Sequence, residues 1–472
     1  MGRAWVKRWK PSGRGEKGSY VEVLEVHQKT SIDKVPWSLP PSKSHAIRWL
    51  ALAAQSNQFI TFHNMKYAGE DVCSMRRCLI QMGVAITDLN AKGERLPNLT
   101  NVDLNPHPES VSWQVQGRGP NGLKPPISVL HAGNSGTALR LLMALCARFD
   151  VPIMLDGDAS LRSRDYSSMI DTLNQFQVQS SHGEGAEMLP LLVQGPWKCP
   201  EGLKINANKS SQPTSAWLIA SPALPSDLHL SLEGDAVSRR HASLTREMCE
   251  SLGCSSVSGG SLNPWEPVFS QTELHVPPDC SMLAFAMLAS KVVAAPVDVE
   301  VLPGDEDSLG HEVLMHRAKD LGINLDNSTI SSMDGDAPSS YDLRDANDLI
   351  TPLSALLALS SGGEITGAAH AAYKETNRLK HTRTLLAAFG LKATSIEGGL
   401  SIPGGQSLTP PKELVETYHD HRMQMTAIVL AMGCKQKVVI EGANLHAVAD
   451  PYAVQRWVDV GVEAKVNLHQ HW

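Results

Sequence analysis

The sequence predicts a mixed α/β (α+β) fold with two domains, each built from three copies of one structural unit. The length of 472 residues exceeds what a single hydrophobic core ordinarily serves, and a hydrophobic content of 42% can fill two cores. Six long apolar runs recur along the chain, and amphipathic and β-rich segments alternate with them. Three units in each half would give two domains of similar size.

The six apolar runs predict buried helices. Each run has at least ten residues, is rich in Ala, Leu and Met, and is opened by Ser, Thr, Asp or Asn, which cap helix N-termini. Taking one polar residue of each opening as a mark, successive runs lie 90, 76, 69, 69 and 72 residues apart. The marks are Ser44, Asn134, Ser210, Asp279, Asp348 and Asp420.

A second set of six segments predicts outer helices, because each is amphipathic. Five of the six end in Gly plus an apolar residue, which indicates a helix C-cap leading into a strand. Strands are predicted between the helices, for example VEVLEV near Val21, SWQVQG near Ser112 and KVVIEG near Lys437. The outer helices are DVCSMRRCLIQMGV, YSSMIDTLNQFQV, SLTREMCESLGC, GHEVLMHRAKDLGI, RLKHTRTLLAAFGL and PYAVQRWVDVGV.

The composition argues against several classes of protein. A net charge of -7 and a pI near 6.2 do not suit a general nucleic-acid binder. The sequence contains no run of 18 apolar residues, so it predicts no membrane span. The basic N-terminus lacks the apolar centre of a secretory signal. The eight cysteines lack zinc-site spacing and predict buried thiols in a reducing cytosol. We therefore expect a soluble cytoplasmic protein without a cofactor.

His419 and His421 suggest a metal site, because alternate residues of a strand face the same way. No third ligand has suitable spacing, so we expect no metal.

The polar openings of the buried helices predict an anion-binding cleft. A helix N-terminus carries partial positive charge and free N–H groups, and six such ends could converge if the helices run the same way. The opening with Lys43, Ser44 and Arg48 favours a functional role. The opening at Asp279 by itself favours a simple N-cap.

Six segments resemble the signature motifs of the 5-enolpyruvylshikimate-3-phosphate synthases. They keep the family's order and cover about Val35 to Arg422. The resemblance implies the two-domain inverse barrel of the enolpyruvyl transferases, with six βαβαββ repeats, three per domain, and the active site in the interdomain cleft. We expect a basic flexible tail at 1–20, one domain from 21–41 plus 277–472, and the other from 42–276. The segments are PPSKSHAIR, AGNSGTALR, LDGDASLRSR, KSSQ, YKETNR and YHDHRMQM.

The resemblance implies a transferase of the shikimate pathway, which leads to chorismate and the aromatic amino acids. The enolpyruvyl group of phosphoenolpyruvate would pass to the 5-hydroxyl of shikimate 3-phosphate by addition and elimination through a tetrahedral intermediate, with release of phosphate. These two small molecules are the expected partners of a monomer. Together they carry a charge of about -5 to -6, which cations must offset. The motif cations are Lys43, Arg48, Arg164, Lys374, Arg378 and Arg422.

The resemblance also implies the binding residues. Guanidinium groups grip carboxylates and phosphates through paired hydrogen bonds, and Arg164, Arg378 and Arg422 match the family's phosphoenolpyruvate clamp. The expected phosphoenolpyruvate site is Lys43, Asn134, Gly136, Thr137, Arg164, Gln212, Arg378, His421 and Arg422. The expected shikimate 3-phosphate site is Lys43, Ser44, Arg48, Ser210, Ser211, Gln212, Ser238, Asp348 and Lys374.

Three residues fill the family's catalytic positions. Asp348 is expected to accept the hydroxyl proton, and Glu375 to donate a proton to the enol carbon. Lys43 is expected to shuttle protons and to neutralise the leaving phosphate.

Four positions depart from the family pattern. His241 replaces a tyrosine, His370 an asparagine, Asn377 an aspartate and Ala449 a C-terminal lysine. These changes leave open an enolpyruvyl transferase with a different acceptor. Transfer to a nucleotide sugar is disfavoured because the loop Gly157–Arg164 contains no cysteine. A non-catalytic anion-binding relative is the remaining alternative, and the retained catalytic residues argue against it.

Overall fold

The computed structural model describes residues 19–97, 104–183, 187–206, 210–234, 239–255, 260–335 and 337–471. Residues 1–18 of the expected tail and Ser238 lie outside these ranges. The α-helices within them are α1 (Lys43–Ala53), α2 (Glu70–Gln81), α3 (Gly136–Cys146), α4 (Ala159–Arg162), α5 (Ser167–Gln175), α6 (Gln212–Ala220), α7 (Arg239–Ser251), α8 (Cys280–Val293), α9 (Val313–His316), α10 (Ile350–Leu359), α11 (Arg378–Ala388), α12 (His421–Ala431) and α13 (Gln455–Val458).

The strands alternate with these helices along the chain, so the fold is mixed α/β as the sequence predicts. The strands are β1 (Ser19–His27), β2 (Val35–Trp37), β3 (Phe59–His63), β4 (Ala85–Leu89), β5 (Ser112–Gln116), β6 (Leu130–His131), β7 (Ile153–Asp156), β8 (Gln179–His182), β9 (Leu191–Gln194), β10 (Gly202–Asn206), β11 (Leu228–Glu233), β12 (Ser261–Leu262), β13 (Glu273–His275), β14 (Val297–Val299), β15 (Ile323–Asp326), β16 (Thr329–Ser332), β17 (Ser339–Asp342), β18 (Gly362–Thr366), β19 (Thr394–Ile396), β20 (Gly399–Pro403), β21 (Val438–Glu441) and β22 (Glu463–His471).

The six apolar runs form the buried helices α1, α3, α6, α8, α10 and α12, which confirms that prediction. Their openings cap them in several cases. The Ser135 hydroxyl accepts from the Ala138 N–H, and the Asp279 carboxylate accepts from the Ser281 N–H. Such caps satisfy amide donors that the first helical turn leaves without partners.

Four of the six outer helices form as predicted, namely α2, α5, α7 and α11. The prediction is wrong in length for the other two, because α9 and α13 have only four residues each. Around α9, bonds to the third preceding residue interrupt the α-helical pattern, as in Leu314 N–H to His311 O (3.0 Å) and Ala318 N–H to Met315 O (3.4 Å). This tighter hydrogen bonding turns most of the segment into successive turns.

Two hydrophobic cores divide the described residues into two halves. One core is built from residues between 46 and 276 together with Leu309. The other is built from residues 24–39 and 282–462. Three sheets belong to the first half (β13-β3-β5-β4, β6-β7-β9-β8 and β10-β11-β12) and three to the second (β15-β16-β14-β2, β17-β18-β20-β19 and β21-β1-β22). We propose on this basis that 42–276 is one domain and that 21–41 with 277–472 is the other.

The chain passes between the halves at two adjacent points. Pro41 and Pro278 form an isolated antiparallel bridge. The Ser42 N–H donates to Pro277 O and the Asp279 N–H donates to Pro40 O, both at 2.8 Å. Because α1 and α8 start directly after these crossings, the pairing places both helix N-termini at the junction of the halves.

The described residues contain no membrane-spanning helix and no disulfide. No helix in the described part is long and apolar enough to cross a membrane. All eight cysteines are described and none forms a disulfide; seven are buried and Cys199 is half-buried.

A buried ion pair ties α2 to β4 and gives a test of the fold. Arg76 binds Asp88 through two hydrogen bonds of 3.0 and 2.8 Å, and its guanidinium lies 4.8 Å from the Trp113 ring centre. The Asp88→Ala variant leaves a buried cation unpaired, so we expect a loss of about 3–5 kcal/mol in unfolding free energy. Urea titration measures it. The exposed Asp326→Ala variant should stay within about 0.5 kcal/mol of wild type. Equal stability of both variants would contradict the prediction.

Candidate active site

A cleft lies between the two halves and is lined by residues of both. Of the predicted site residues, Ser238 is not described and Arg378, His421 and Arg422 lie buried behind the cleft wall. The others line the cleft: Lys43, Ser44, Arg48, Asn134, Gly136, Thr137, Arg164, Ser210, Ser211, Gln212, Asp348, Lys374 and Glu375.

Helix N-termini meet at this cleft, in part as the sequence predicts. Helices α1, α3 and α6 begin with Lys43, Gly136 and Gln212, and all three residues line it. The 3₁₀ turn Asn347–Leu349, which leads into α10, contributes Asp348. Helices α8 and α12 do not line the cleft. A side-chain hydrogen bond between Arg422 and Ser281 joins their first turns. The site therefore combines helix-end N–H groups with cationic side chains.

Among the described cations of the site, Arg378 pairs with the most carboxylates. Its guanidinium contacts Glu375 at 2.5 Å, Asp348 at 2.6 Å and Asp420 at 2.8 Å. It is 1% exposed, and the three carboxylates raise its pKa against the opposing effect of burial. Because Asp420 also caps α12, it fixes Arg378 relative to that helix.

Arg164 comes from the other half and shares a carboxylate with Arg378. Its Nη2 lies 3.2 Å from Glu375 Oε1 and donates to Asn134 Oδ1 at 3.1 Å. Glu375 therefore joins cations of both halves across the cleft. Arg140 stands beside Arg164, with its guanidinium 4.6 Å from the Tyr166 ring centre.

Arg422 is buried but only partly paired. Its Nη2 donates to Asp348 Oδ2 and to Ser281 Oγ, each at 3.1 Å, and the latter bond joins α12 to α8. Its Nε and Nη1 have no partner within the described residues, and neither ring nitrogen of His421 has one. Buried donors without partners are costly, so these groups suit an anionic ligand.

The electrostatics keep both catalytic candidates ionised. Burial acts to raise the pKa of Asp348, but Arg422 and Arg378 outweigh it and hold that pKa well below its usual range. Glu375 behaves alike: burial opposes ionisation, and Arg378 with Arg164 still holds its pKa well below the usual range. Burial lowers the pKa of Lys374, which directly precedes Glu375 in the chain.

Asp71 is a cleft residue that sequence reasoning missed. It lies in the first turn of α2, is 5% exposed, and its Oδ2 is 3.2 Å from Lys43 Nζ. Burial raises the pKa of Asp71 despite Lys43, and the pKa of Lys43 is raised because Asp71 and Asp348 outweigh its own burial. In the sequence this acid has the ordinary look of a residue that complements a helix dipole, so no signal distinguishes it.

A second part of the cleft, the Arg48 end, surrounds Arg48. Its guanidinium donates to Thr245 Oγ1 (2.6 Å), to Ser215 Oγ (3.3 Å) and to the Ser44 carbonyl (2.9 Å). Burial lowers the pKa of Arg48 to about 10. Nearby, Gln212 Nε2 donates to Thr137 Oγ1 at 2.9 Å, which links α6 to α3.

The positions that depart from the family pattern divide between the cleft and its surroundings. His241 and His370 line the cleft, and His370 Nε2 lies 2.7 Å from Asn347 Nδ2. Ala449 is buried against Gly69, just before the start of α2. Among the described residues no group of three or more His, Cys, Asp or Glu side chains could hold a metal ion.

The chain is similar to one protein family and to curated relatives along most of its length. The family model described as EPSP synthase (3-phosphoshikimate 1-carboxyvinyltransferase) matches residues 33–452. The 3-phosphoshikimate 1-carboxyvinyltransferase of Methanothermobacter thermautotrophicus is 28% identical over 436 residues, which cover 91% of this chain and 96% of the relative. That of Caldivirga maquilingensis is 28% identical over 456 residues, which cover 94% and 100%.

Solved structures show the same likeness. EPSP synthase from Acinetobacter baumannii matches with a TM-score of 0.70 and 22% identity, covering 94% of this chain and 100% of that chain. The enolpyruvyl transferase NikO from Streptomyces tendae matches with a TM-score of 0.65 and 11% identity, covering 96% and 100%. At these identities the likeness shows the fold alone.

Acid should destabilise the protein through Asp348 and Glu375. Their pKa values in the folded protein lie well below those of the unfolded chain, so the ion pairs stabilise the fold above a pH of about 4. The contribution is lost as the pH falls from there toward the folded pKa values. Unfolding free energy measured between about pH 3 and pH 7 should depend less on acid in Asp348→Asn than in wild type. The exposed Asp326→Asn variant should keep the wild-type slope, and three equal slopes would refute the prediction.

Proposed function

We infer the chemistry of this protein from one premise: the chain belongs to the EPSP synthase family. It is a transferase that moves the enolpyruvyl group of phosphoenolpyruvate to shikimate 3-phosphate in the shikimate pathway. The observation that carries the residue assignments is the convergence of Arg164, Arg378 and Arg422 on two ionised carboxylates in one cleft.

We assign phosphoenolpyruvate to the end of the cleft near Arg164, Arg378 and Arg422. Its carboxylate and phosphate would accept hydrogen bonds from the unpartnered nitrogen atoms of Arg422 and His421. They would also compete with Glu375 for Arg164. The full proposed set is Lys43, Asn134, Gly136, Thr137, Arg164, Gln212, Arg378, His421 and Arg422.

Shikimate 3-phosphate is assigned to the Arg48 end. Hydroxyl groups and helix-end N–H groups suit its phosphate, and Arg48 with Ser44 suits its carboxylate. Gln212 lies at the N-terminus of α6, donates a hydrogen bond to Thr137, and would contact both substrates. The full proposed set is Lys43, Ser44, Arg48, Ser210, Ser211, Gln212, Ser238, Asp348 and Lys374.

The acid–base roles follow from charge. Asp348 is ionised and would accept the proton of the 5-hydroxyl as its oxygen bonds to C2 of phosphoenolpyruvate. Glu375 is ionised without substrate, so it becomes a proton donor to C3 only when the substrate's negative charge raises its pKa. Elimination then removes a methyl proton and breaks the bond to phosphate. Lys43, kept charged by Asp71, would shuttle protons and neutralise the leaving phosphate.

A second candidate keeps the fold and phosphoenolpyruvate but uses a different acceptor. The observation that favours it is the presence of His241 and His370 at the cleft, where the family pattern has tyrosine and asparagine. Phosphate release from phosphoenolpyruvate with and without shikimate 3-phosphate separates the candidates. Release that depends on shikimate 3-phosphate supports the first candidate, and no release in its presence supports a different acceptor or a non-catalytic relative. We further propose that the protein acts as a cytoplasmic monomer without metal, cofactor or nucleic acid.

Removing an acid–base group should abolish most turnover. Glu375→Gln and Lys43→Met are each expected to lower kcat by about 10²–10⁴, which is the usual range for a positioned acid or base. Steady-state phosphate release measures the effect. The exposed Glu364→Gln and Lys465→Met are the matched controls and should keep wild-type rates. A loss in both members of either pair would point to general destabilisation instead.

Gly136 gives a test of the phosphoenolpyruvate end. A Cβ added there would lie 2.8 Å from Arg164 Nη1 and 2.9 Å from Arg140 Nη1, so it must displace guanidinium groups. We expect Gly136→Ala to raise KM for phosphoenolpyruvate by about tenfold and to leave KM for shikimate 3-phosphate nearly unchanged. Gly183→Ala, where an added Cβ meets no atom within 4 Å, should match wild type. Equal rises in both KM values would exclude the assignment.

A further inference from the structure

The segment 304–312 reaches from one half of the protein into the other. Leu309 is buried in the core of residues 46–276, although its own neighbours in sequence belong to the opposite half. On the same segment Asp307 lies 3.5 Å from His45, and Glu312 lies 3.1 Å from Arg240 on α7. These contacts hold the segment against the cleft, and between them stands His311, which lines it.

The hydrogen bonds of His311 determine which ring nitrogen carries the proton. Its Nδ1 lies 2.8 Å from the Ser308 carbonyl oxygen, and a carbonyl only accepts, so Nδ1 is the donor. Burial lowers the pKa of His311, with Arg422 acting in the same direction and Asp348 and Asp279 opposing. The ring is therefore neutral near pH 7, and Nε2 holds a lone pair.

That lone pair has no donor within the described residues. His311 is 4% exposed, and its Nε2 is buried without a hydrogen-bond partner. A buried acceptor without a partner is costly, so the site is complete only when a ligand supplies a donor.

The chemistry of the two substrates narrows the choice of donor. Ionised carboxylates and phosphates only accept hydrogen bonds, and phosphoenolpyruvate has no other polar group. Shikimate 3-phosphate has two free hydroxyls, at C4 and C5, and these are the O–H donors available. The single O–H of the C5 hydroxyl is already assigned to Asp348. We propose that His311 Nε2 accepts a hydrogen bond from the C4 hydroxyl and so selects the acceptor substrate. This assignment rests on the proposed function.

Equilibrium binding to three ligands tests the assignment: shikimate 3-phosphate and its 4-deoxy and 5-deoxy analogues. His311→Asn keeps an amide donor for the Ser308 carbonyl but has no atom at the Nε2 position. It should bind shikimate 3-phosphate about tenfold more weakly than wild type and bind the 4-deoxy analogue as wild type does. His311→Gln can place an amide oxygen near the Nε2 position and should recover part of the loss. The exposed His316→Asn, five residues along, is the control and should bind all three ligands as wild type does.

The outcomes are distinct. Weaker binding of shikimate 3-phosphate together with unchanged binding of the 4-deoxy analogue supports the hydroxyl contact, and unchanged binding of the 5-deoxy analogue instead overturns the choice of C4. Unchanged binding of shikimate 3-phosphate by His311→Asn, or equal losses for all three ligands, overturns it while the proposed function stands. Failure of wild type to bind shikimate 3-phosphate overturns the proposed function and this contact together. Thermal unfolding of each variant identifies a loss that comes from misfolding.

Discussion

The sharing of two carboxylates among three arginines is the interaction on which the site depends. Arg378 and Arg422 are almost fully buried, and a buried cation is tolerated only when negative charge lies close to it. Asp348 and Glu375 supply that charge while the cleft holds no substrate. When anionic substrates arrive, the same arginines gain competing partners, and the carboxylates become more basic. The groups that keep the empty site stable are therefore the groups that the reaction needs as acid and base.

The fold brings this charge together by placing helix ends, rather than helix faces, at the cleft. Helices α1, α3 and α6 present their first residues from one half, and the turn before α10 presents Asp348 from the other. Each helix is buried along its length, so its position is fixed by packing in a core on one side of the cleft. Rigid helices with polar first turns thus hold flexible Lys and Arg side chains at defined points.

The sequence was informative where a pattern is local. Apolar runs with polar openings located the six buried helices, and short motifs located the cations of the cleft. Local pattern could not predict that the segments of α9 and α13 would break into turns, because 3₁₀ and α-helical bonding compete within a single turn. Asp71 and His311 were missed for another reason. Their importance comes from Lys43 and from the orientation of one carbonyl, and three-dimensional contacts of this kind leave no periodic trace.

The pairing of β1 with the end of the chain has a consequence for the order of folding during synthesis. Strand β1 lies between β21 and β22, more than four hundred residues later. The half that contains it cannot complete this sheet until β22 has left the ribosome. The other half is one continuous stretch between the crossings at Pro41 and Pro278, so it can be complete much earlier. A nascent chain would then carry a folded 42–276 half whose cleft still lacks Asp348, Glu375 and Arg378, and substrate could gain its full set of partners only after the second half has folded.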